Sequence, residues 1–154
     1  MQAWINQHPL LFVCLILAGG FLFQWLLLNL IAAASGWKIL AQRFSVQQPF
    51  SGPQWKWQSA RMRFGMGYNN SLKVGANRAG LFIQPVWVIL AGHPPLFIPW
   101  SEISFGHAAG WMSNYVRLCL GRSEQIPFTI RPSLADRLRA AAGPGWPASS
   151  AVSK

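Results

Sequence analysis

The sequence predicts a single transmembrane α-helix followed by a mainly-β domain of about seven antiparallel strands closed by one C-terminal helix. Three observations predict it. Residues 1–36 contain no Lys, Arg, Asp or Glu, and all 13 basic and 3 acidic residues come after them. From Trp55 onward apolar side chains alternate with period two between breaks rich in Gly, Pro and Asn, and from Ser133 the apolar period lengthens to that of a helix. With 154 residues the chain holds one domain of ordinary size, and its 10% charged content lies far below the roughly 25% of soluble chains. The formal net charge of +10 excludes an acidic disordered segment.

After a short tail at residues 1–8, residues 9–34 run as PLLFVCLILAGGFLFQWLLLNLIAAA, uncharged, with only Gln24 and Asn29 strongly polar. As a helix this stretch reaches about 39 Å, enough to cross a hydrocarbon core of about 30 Å. The small residues Ala32 to Ser35 suit a signal peptidase. The missing basic n-region and the long apolar run instead predict an uncleaved anchor over residues 9–35. Lys and Arg beside a span stay on the cytoplasmic side, and they occur only after it, so the N-terminus is expected outside and the body of the chain in the cytoplasm. Trp37, Lys38 and Arg43 are expected at the membrane interface, with Trp4 at the other end. Gln24 and Asn29 are read as tolerated amides, with hydrogen bonding between helices as the alternative. Cys14 in the span and Cys119 in a strand imply no disulfide and no metal site.

Residues 36–54 read as an amphipathic juxtamembrane helix lying on the membrane surface, carried by Trp37, Leu40, Ala41 and Phe44, then a Pro/Gly-rich linker. Residues 55–142 form the β domain. Strands are expected at 59–65, with Ala60, Met62 and Phe64 inward, and at 71–76, with Leu72, Val74 and Ala76 inward, joined by a turn over residues 66–70. Further strands are expected at 81–84, 86–90, 96–100, 114–120 and 126–130. The last helix is expected to start at Ser133 as N-cap with Asp136 three residues on, to bury Leu134, Leu138, Ala141 and Ala142, and to stop at Gly143. Residues 143–154 read as a disordered tail.

Two segments, Ala79-Gly80-Leu81-Phe82-Ile83 and Leu96-Phe97-Ile98-Pro99-Trp100-Ser101-Glu102-Ile103, resemble strands of the pleckstrin-homology superfold, and specifically of membrane-tethered bacterial PH-like or GRAM-like domains. The resemblance covers residues 55–142. It implies a PH-like barrel at the bacterial inner membrane, binding or scaffolding without chemistry or cofactor of its own. Lys56 with Arg61-x-Arg63 is similar to the basic pattern of some phosphoinositide-binding members, with a shorter spacing, and Lys73 shares the polar face. These four residues are expected to contact anionic lipid or phosphate as a diffuse basic surface, a directed headgroup cradle being the alternative.

Catalytic motifs are lacking: there is no HExxH, GxSxG, Walker loop or CxxC pair. Glu102 and His107 form the nearest acid/base candidate, but they need not converge, and His93 reads as a turn residue beside Pro94 and Pro95. The sequence therefore predicts a non-enzymatic module that contacts anionic membrane lipid and recruits or scaffolds a protein partner. A membrane-tethered nucleic-acid binder using Trp55, Lys56, Trp57, Arg61 and Arg63, or a small membrane enzyme, is the alternative.

Overall fold

The structure, a computed structural model, describes residues 8–86, 91–106 and 114–148. Helix α1 (Pro9–Ala34) is apolar on every side, and Pro9 sits in its first turn, where a missing N–H costs nothing. It is long and apolar enough to cross a membrane. Its side chains are exposed or half-exposed up to Leu27, after which Leu28 and Ala32 are buried against the rest of the protein.

Gly36 turns the chain at φ 85°, and a Cβ there would come within 2.7 Å of Ile126, so only glycine fits both the angle and the space. Helix α2 (Trp37–Phe44) follows. Its apolar stripe of Trp37, Leu40 and Phe44 is buried in the protein core. The stripe expected to lie on lipid therefore faces the β domain. Residues 45–53 are strapped across the sheet: Val46 N–H donates to Pro95 O at 2.9 Å, and the Phe50 ring stacks on Phe82 with centroids 4.8 Å apart. Gly75 lies beneath the strap, where a Cβ would approach Phe50 to 2.8 Å.

Seven strands form one antiparallel sheet: β1 (Gln54–Arg61), β2 (Gly67–Ala76), β3 (Gly80–Pro85), β4 (Leu96–Pro99), β5 (Ile103–Gly106), β6 (Val116–Leu120) and β7 (Ile126–Ile130). Their order is β4-β3-β2-β1-β7-β6-β5. The two edge strands, β4 and β5, are joined by only the 3-residue turn Trp100–Glu102, which brings the edges together and curls the sheet into a nearly closed barrel. Leu72, Val74, Leu81, Ile83, Leu118, Phe128 and Ile130 fill its interior. Helix α3 (Pro132–Ala142) closes it with Leu134, Leu138 and Ala142 of the expected stripe, while Ala141 is half-buried and Ala135 is buried in addition. Its N-cap is Arg131, not Ser133, because Pro132 begins the helix and no side chain caps it. Trp146 packs on Trp100 and Phe105, so the expected tail is folded onto the barrel as far as Ala148.

Several strand positions differ from expectation. The first hairpin turns at Arg63–Gly65, closed by Met62 N–H donating to Met66 O, and Tyr68 belongs to β2 with its ring buried. Two irregularities explain the shift: β1 gains a residue between Trp55 and Gln58, and β2 gains two between Tyr68 and Leu72, so parity does not carry through. Phe64, expected inward, is 77% exposed with φ 56°. β5, 4 residues long, is a strand beyond those expected. Most of the strand expected at 86–90, residues 1–7 of the tail with Trp4, His107 and residues 149–154 lie outside the described residues.

Candidate functional site

Where α1 meets the barrel, four side chains converge. Ser35 follows α1 directly, Trp37 opens α2, Tyr68 comes from β2 and His93 from the β3–β4 connection; Ser35, Trp37 and His93 are fully buried and Tyr68 is 4% exposed. The Tyr68 hydroxyl lies 2.8 Å from Ser35 Oγ and 2.9 Å from His93 Nε2. His93 Nδ1 lies 2.8 Å from Ala91 O, and Trp37 Nε1 donates to Pro94 O at 2.9 Å. The Trp37 ring stands 5.1 Å from His93 and 5.6 Å from Tyr68, centroid to centroid. Gly92 sits against Asn29 of α1, whose amide donates back to Trp25 O at 2.9 Å.

A carbonyl only accepts, so His93 Nδ1 carries the proton, and in the neutral ring Nε2 accepts from the Tyr68 hydroxyl. Ser35 then donates to Tyr68. With His93 charged, each bond reverses: Nε2–H donates to Tyr68, Tyr68 to Ser35, and Ser35 to Ala32 O at 3.3 Å. The network is satisfied in either state. Burial holds the His93 pKa below its ordinary value, opposed by the Ala91 carbonyl and aided by Lys38, and burial pushes the Tyr68 pKa up to about 12.

Two of the three acids tie α2 to the barrel. Arg43 pairs with Glu124 at 2.9 Å and with Glu102 at 3.7 Å, and Glu102 also accepts from Arg122 N–H at 3.1 Å. The bond to Arg43 holds the Glu124 carboxyl below its usual range. Glu102 is thus a structural partner of Arg43 and Arg122. No group of three His, Cys, Asp or Glu among the described residues is arranged to hold a metal, and Cys14 and Cys119 are free thiols.

The expected lipid contacts do not converge. Lys56 is exposed on β1 beside Trp57, which is 57% exposed at φ 59°. Arg63 sits in the hairpin turn with its guanidinium 4.7 Å over the Phe64 ring. Lys73 reaches Gln84 Oε1 at 3.3 Å and lines a cavity of about 650 Å³ under the strap, with Gln47, Gln54 and Pro94. Arg61 lines a different pocket, of about 200 Å³, with Arg131. Lys38 and Arg43 are exposed on α2, whereas Trp37, expected in the headgroup zone, turns its ring into the core.

Sequence reading missed Ser35, Tyr68, His93 and Arg131. The even spacing of Tyr68 with Leu72, Val74 and Ala76 was the available signal for one of them. Compared with known proteins, the chain matches no family model and no curated sequence.

Proposed function

We propose that the chain is a membrane-anchored, non-enzymatic binding module. Its PH-like barrel is held against the cytoplasmic face of the membrane, contacts anionic lipid and recruits or scaffolds a protein partner. The observation that carries this reading is the docking of the barrel on the last turns of α1 through Ser35, Tyr68, His93 and Trp37. Because Leu28 and Ala32 are covered by protein, residues 9–27 remain for lipid, about 28 Å of helix against a hydrocarbon core of about 30 Å. The barrel then begins at the membrane boundary, and Trp25, 54% exposed near the end of that stretch, takes the interfacial place first assigned to Trp37.

Charge supports the same reading. With Glu102 and Glu124 engaged by Arg43, the exposed Lys38, Lys56 and Arg63 keep a basic surface beside an anionic leaflet, where each basic residue near the plane contributes about 1 kcal/mol. The exposed rings of Phe64 and Trp57, held at positive φ, add apolar contact surface.

Two measurements test it. C-terminal fusions to reporters active on only one side of the membrane should report the cytoplasm; activity of the external reporter overturns the topology. A photo-crosslinking residue at Trp57 in cells should give a discrete protein adduct, and adducts to lipid alone would remove the partner from the proposal.

A further inference from the structure

We infer that Arg61 and Arg131 form a phosphate-binding site on the outer face of the barrel, resting on the reading above and naming a directed site within it. Arg61 on β1 is paired with Thr129 on β7, so the two share a face, and Arg131, two residues past Thr129 in extended backbone, lies on that face too. Asn69 follows Gly67, the partner of Arg61, by two residues, which brings an amide to the same side, while the Ser59 hydroxyl, two residues before Arg61, donates to Asn70 Oδ1 at 3.0 Å and serves as wall. Tyr115 completes the rim.

These six side chains enclose the pocket of about 200 Å³ with Ala60, and no carboxylate is among them. Two guanidinium groups without a carboxylate in a concave site, joined by hydroxyl and amide donors, are the chemistry that recognises a tetrahedral oxyanion. The volume lies below that of ordinary small-molecule sites, about 300–1,000 Å³, so it suits one phosphate group, not a nucleotide. The Arg131 side chain makes no hydrogen bond or ion pair among the described residues. Arg117, also paired with Thr129 but from β6, lays its side chain over Gly106 and adds positive charge from the other side without lining the pocket.

Position favours a membrane source. Ala60, next to Arg61, is the strand partner of Tyr68, whose hydroxyl reaches Ser35 at the end of α1. The pocket therefore lies at the end of the barrel that carries the span. The shared ligand chemistry is a phosphate oxyanion, from a lipid headgroup or from free phosphate.

The test uses the full chain in nanodiscs, following arginine Nε–H signals by NMR. Inorganic phosphate added to phosphatidylcholine discs should move Arg61 and Arg131 together and saturably. Replacing the lipid by phosphatidylglycerol should move the same two signals without added phosphate. Arg131→Gln, and the charge-conserving pair Arg61→Lys with Arg131→Lys, should each weaken phosphate binding about tenfold or more while leaving the thermal unfolding transition in place. Binding by the double Lys variant within about twofold of the parent, or equal shifts at Arg63 and Arg78, overturns the site in favour of a general basic field. Should phosphatidylglycerol gather around the parent chain with Arg61 and Arg131 unmoved, the site fails and the lipid-contacting module stands. A response to free phosphate but never to phosphatidylglycerol keeps the site and removes the lipid from the proposed function.

Discussion

Tyr68 Oη stands 2.8 Å from Ser35 Oγ, so a β-strand of the barrel is hydrogen-bonded to the residue directly after the long apolar helix. Tyr68→Phe leaves His93 Nε2 without a partner in a buried site, while Ser35 keeps Ala32 O as its acceptor. It should cost about 1–3 kcal/mol, the penalty of leaving buried polar groups unsatisfied. Ser35→Ala added to Tyr68→Phe should cost less than the sum of the two single changes, since the groups share one bond. Denaturant unfolding of the full chain in detergent measures both. A Tyr68→Phe chain as stable as the parent would show that this contact does not join helix to barrel.

His93 sets a pH dependence whose sign is fixed by its burial. Its folded pKa lies below the ordinary 6.5, so the unfolded chain takes up the proton first as pH falls. The stability contributed by the neutral ring is complete above about pH 6.5 and is lost on acidification until the folded pKa is passed. Tyr68 acts oppositely at the alkaline end: its pKa is raised from 10.0 to about 12, so stability is complete below pH 10.0 and declines toward about 12. Unfolding midpoints from pH 7 to 5 should fall for the parent and flatten in His93→Gln. An equal slope in both chains would assign the dependence elsewhere.

Core membership of α2 and α3 is tested by truncation of their largest buried groups. Leu138→Ala should cost about 2–5 kcal/mol and Trp37→Ala about 3–5 kcal/mol, because both side chains are wholly buried in the same core. Trp37→Ala is the sharper of the two, since a ring lying in headgroups would be replaced with little loss. For the same reason a fragment beginning at Gln47 lacks Trp37, Leu40 and Phe44 and should not give a cooperative transition.

Legibility followed how local the determinants are. The charge-free stretch marked α1, the alternation of Leu72, Val74 and Ala76 marked the inward face of β2, and the spacing of Leu134, Leu138 and Ala142 marked α3, each within a single element. Trp37 and His93 were illegible because their respective partners, the Pro94 carbonyl and Tyr68, are remote in sequence. A Trp beside a span satisfies a headgroup and a protein core equally well. Trp57 and Asn70, both at positive φ beside register breaks, moved the hairpin turn, and no alternation rule locates such breaks in advance. Among the basic residues the sequence supplied Arg61, but its pocket neighbour Arg131 comes from the far end of the chain, brought there by the pairing of β1 with β7.

Phe64 separates fold from function. Left-handed backbone at a non-glycine residue costs about 1–2 kcal/mol, and the exposed ring recovers nothing in the barrel beyond the Arg63 contact. Phe64→Gly accepts φ 56° freely but makes the unfolded chain looser, so stability should be unchanged or rise by up to about 1 kcal/mol. Thermal unfolding of the full chain checks it. A clear loss would mean that the ring supports the hairpin and is not free for an external surface.

The depth of α1 distinguishes two positions of the membrane along it. If lipid covered the whole apolar run from Pro9 to Ala34 symmetrically, a core of about 30 Å would take in Leu30 and leave Leu10 near its outer edge. Leu28 and Ala32 are instead buried, Ala32 in the domain core, and the backbone turn at Gly92 reaches Asn29; an irregular turn of this kind belongs in the headgroup zone, not in hydrocarbon. In the proposed topology the lipid stretch is residues 9–27, with Leu10 inside it and Leu30, 66% exposed, about 4 Å beyond the end nearer the barrel. In a chain with Cys14 and Cys119 replaced by Ser, Leu30→Cys should react with a membrane-impermeant maleimide applied from the cytoplasmic side, and Leu10→Cys should stay protected from either side. The reverse pattern, Leu10→Cys reactive and Leu30→Cys protected, would slide the helix toward the barrel by about one turn and place the Gly92 turn in the bilayer, which the backbone there cannot sustain.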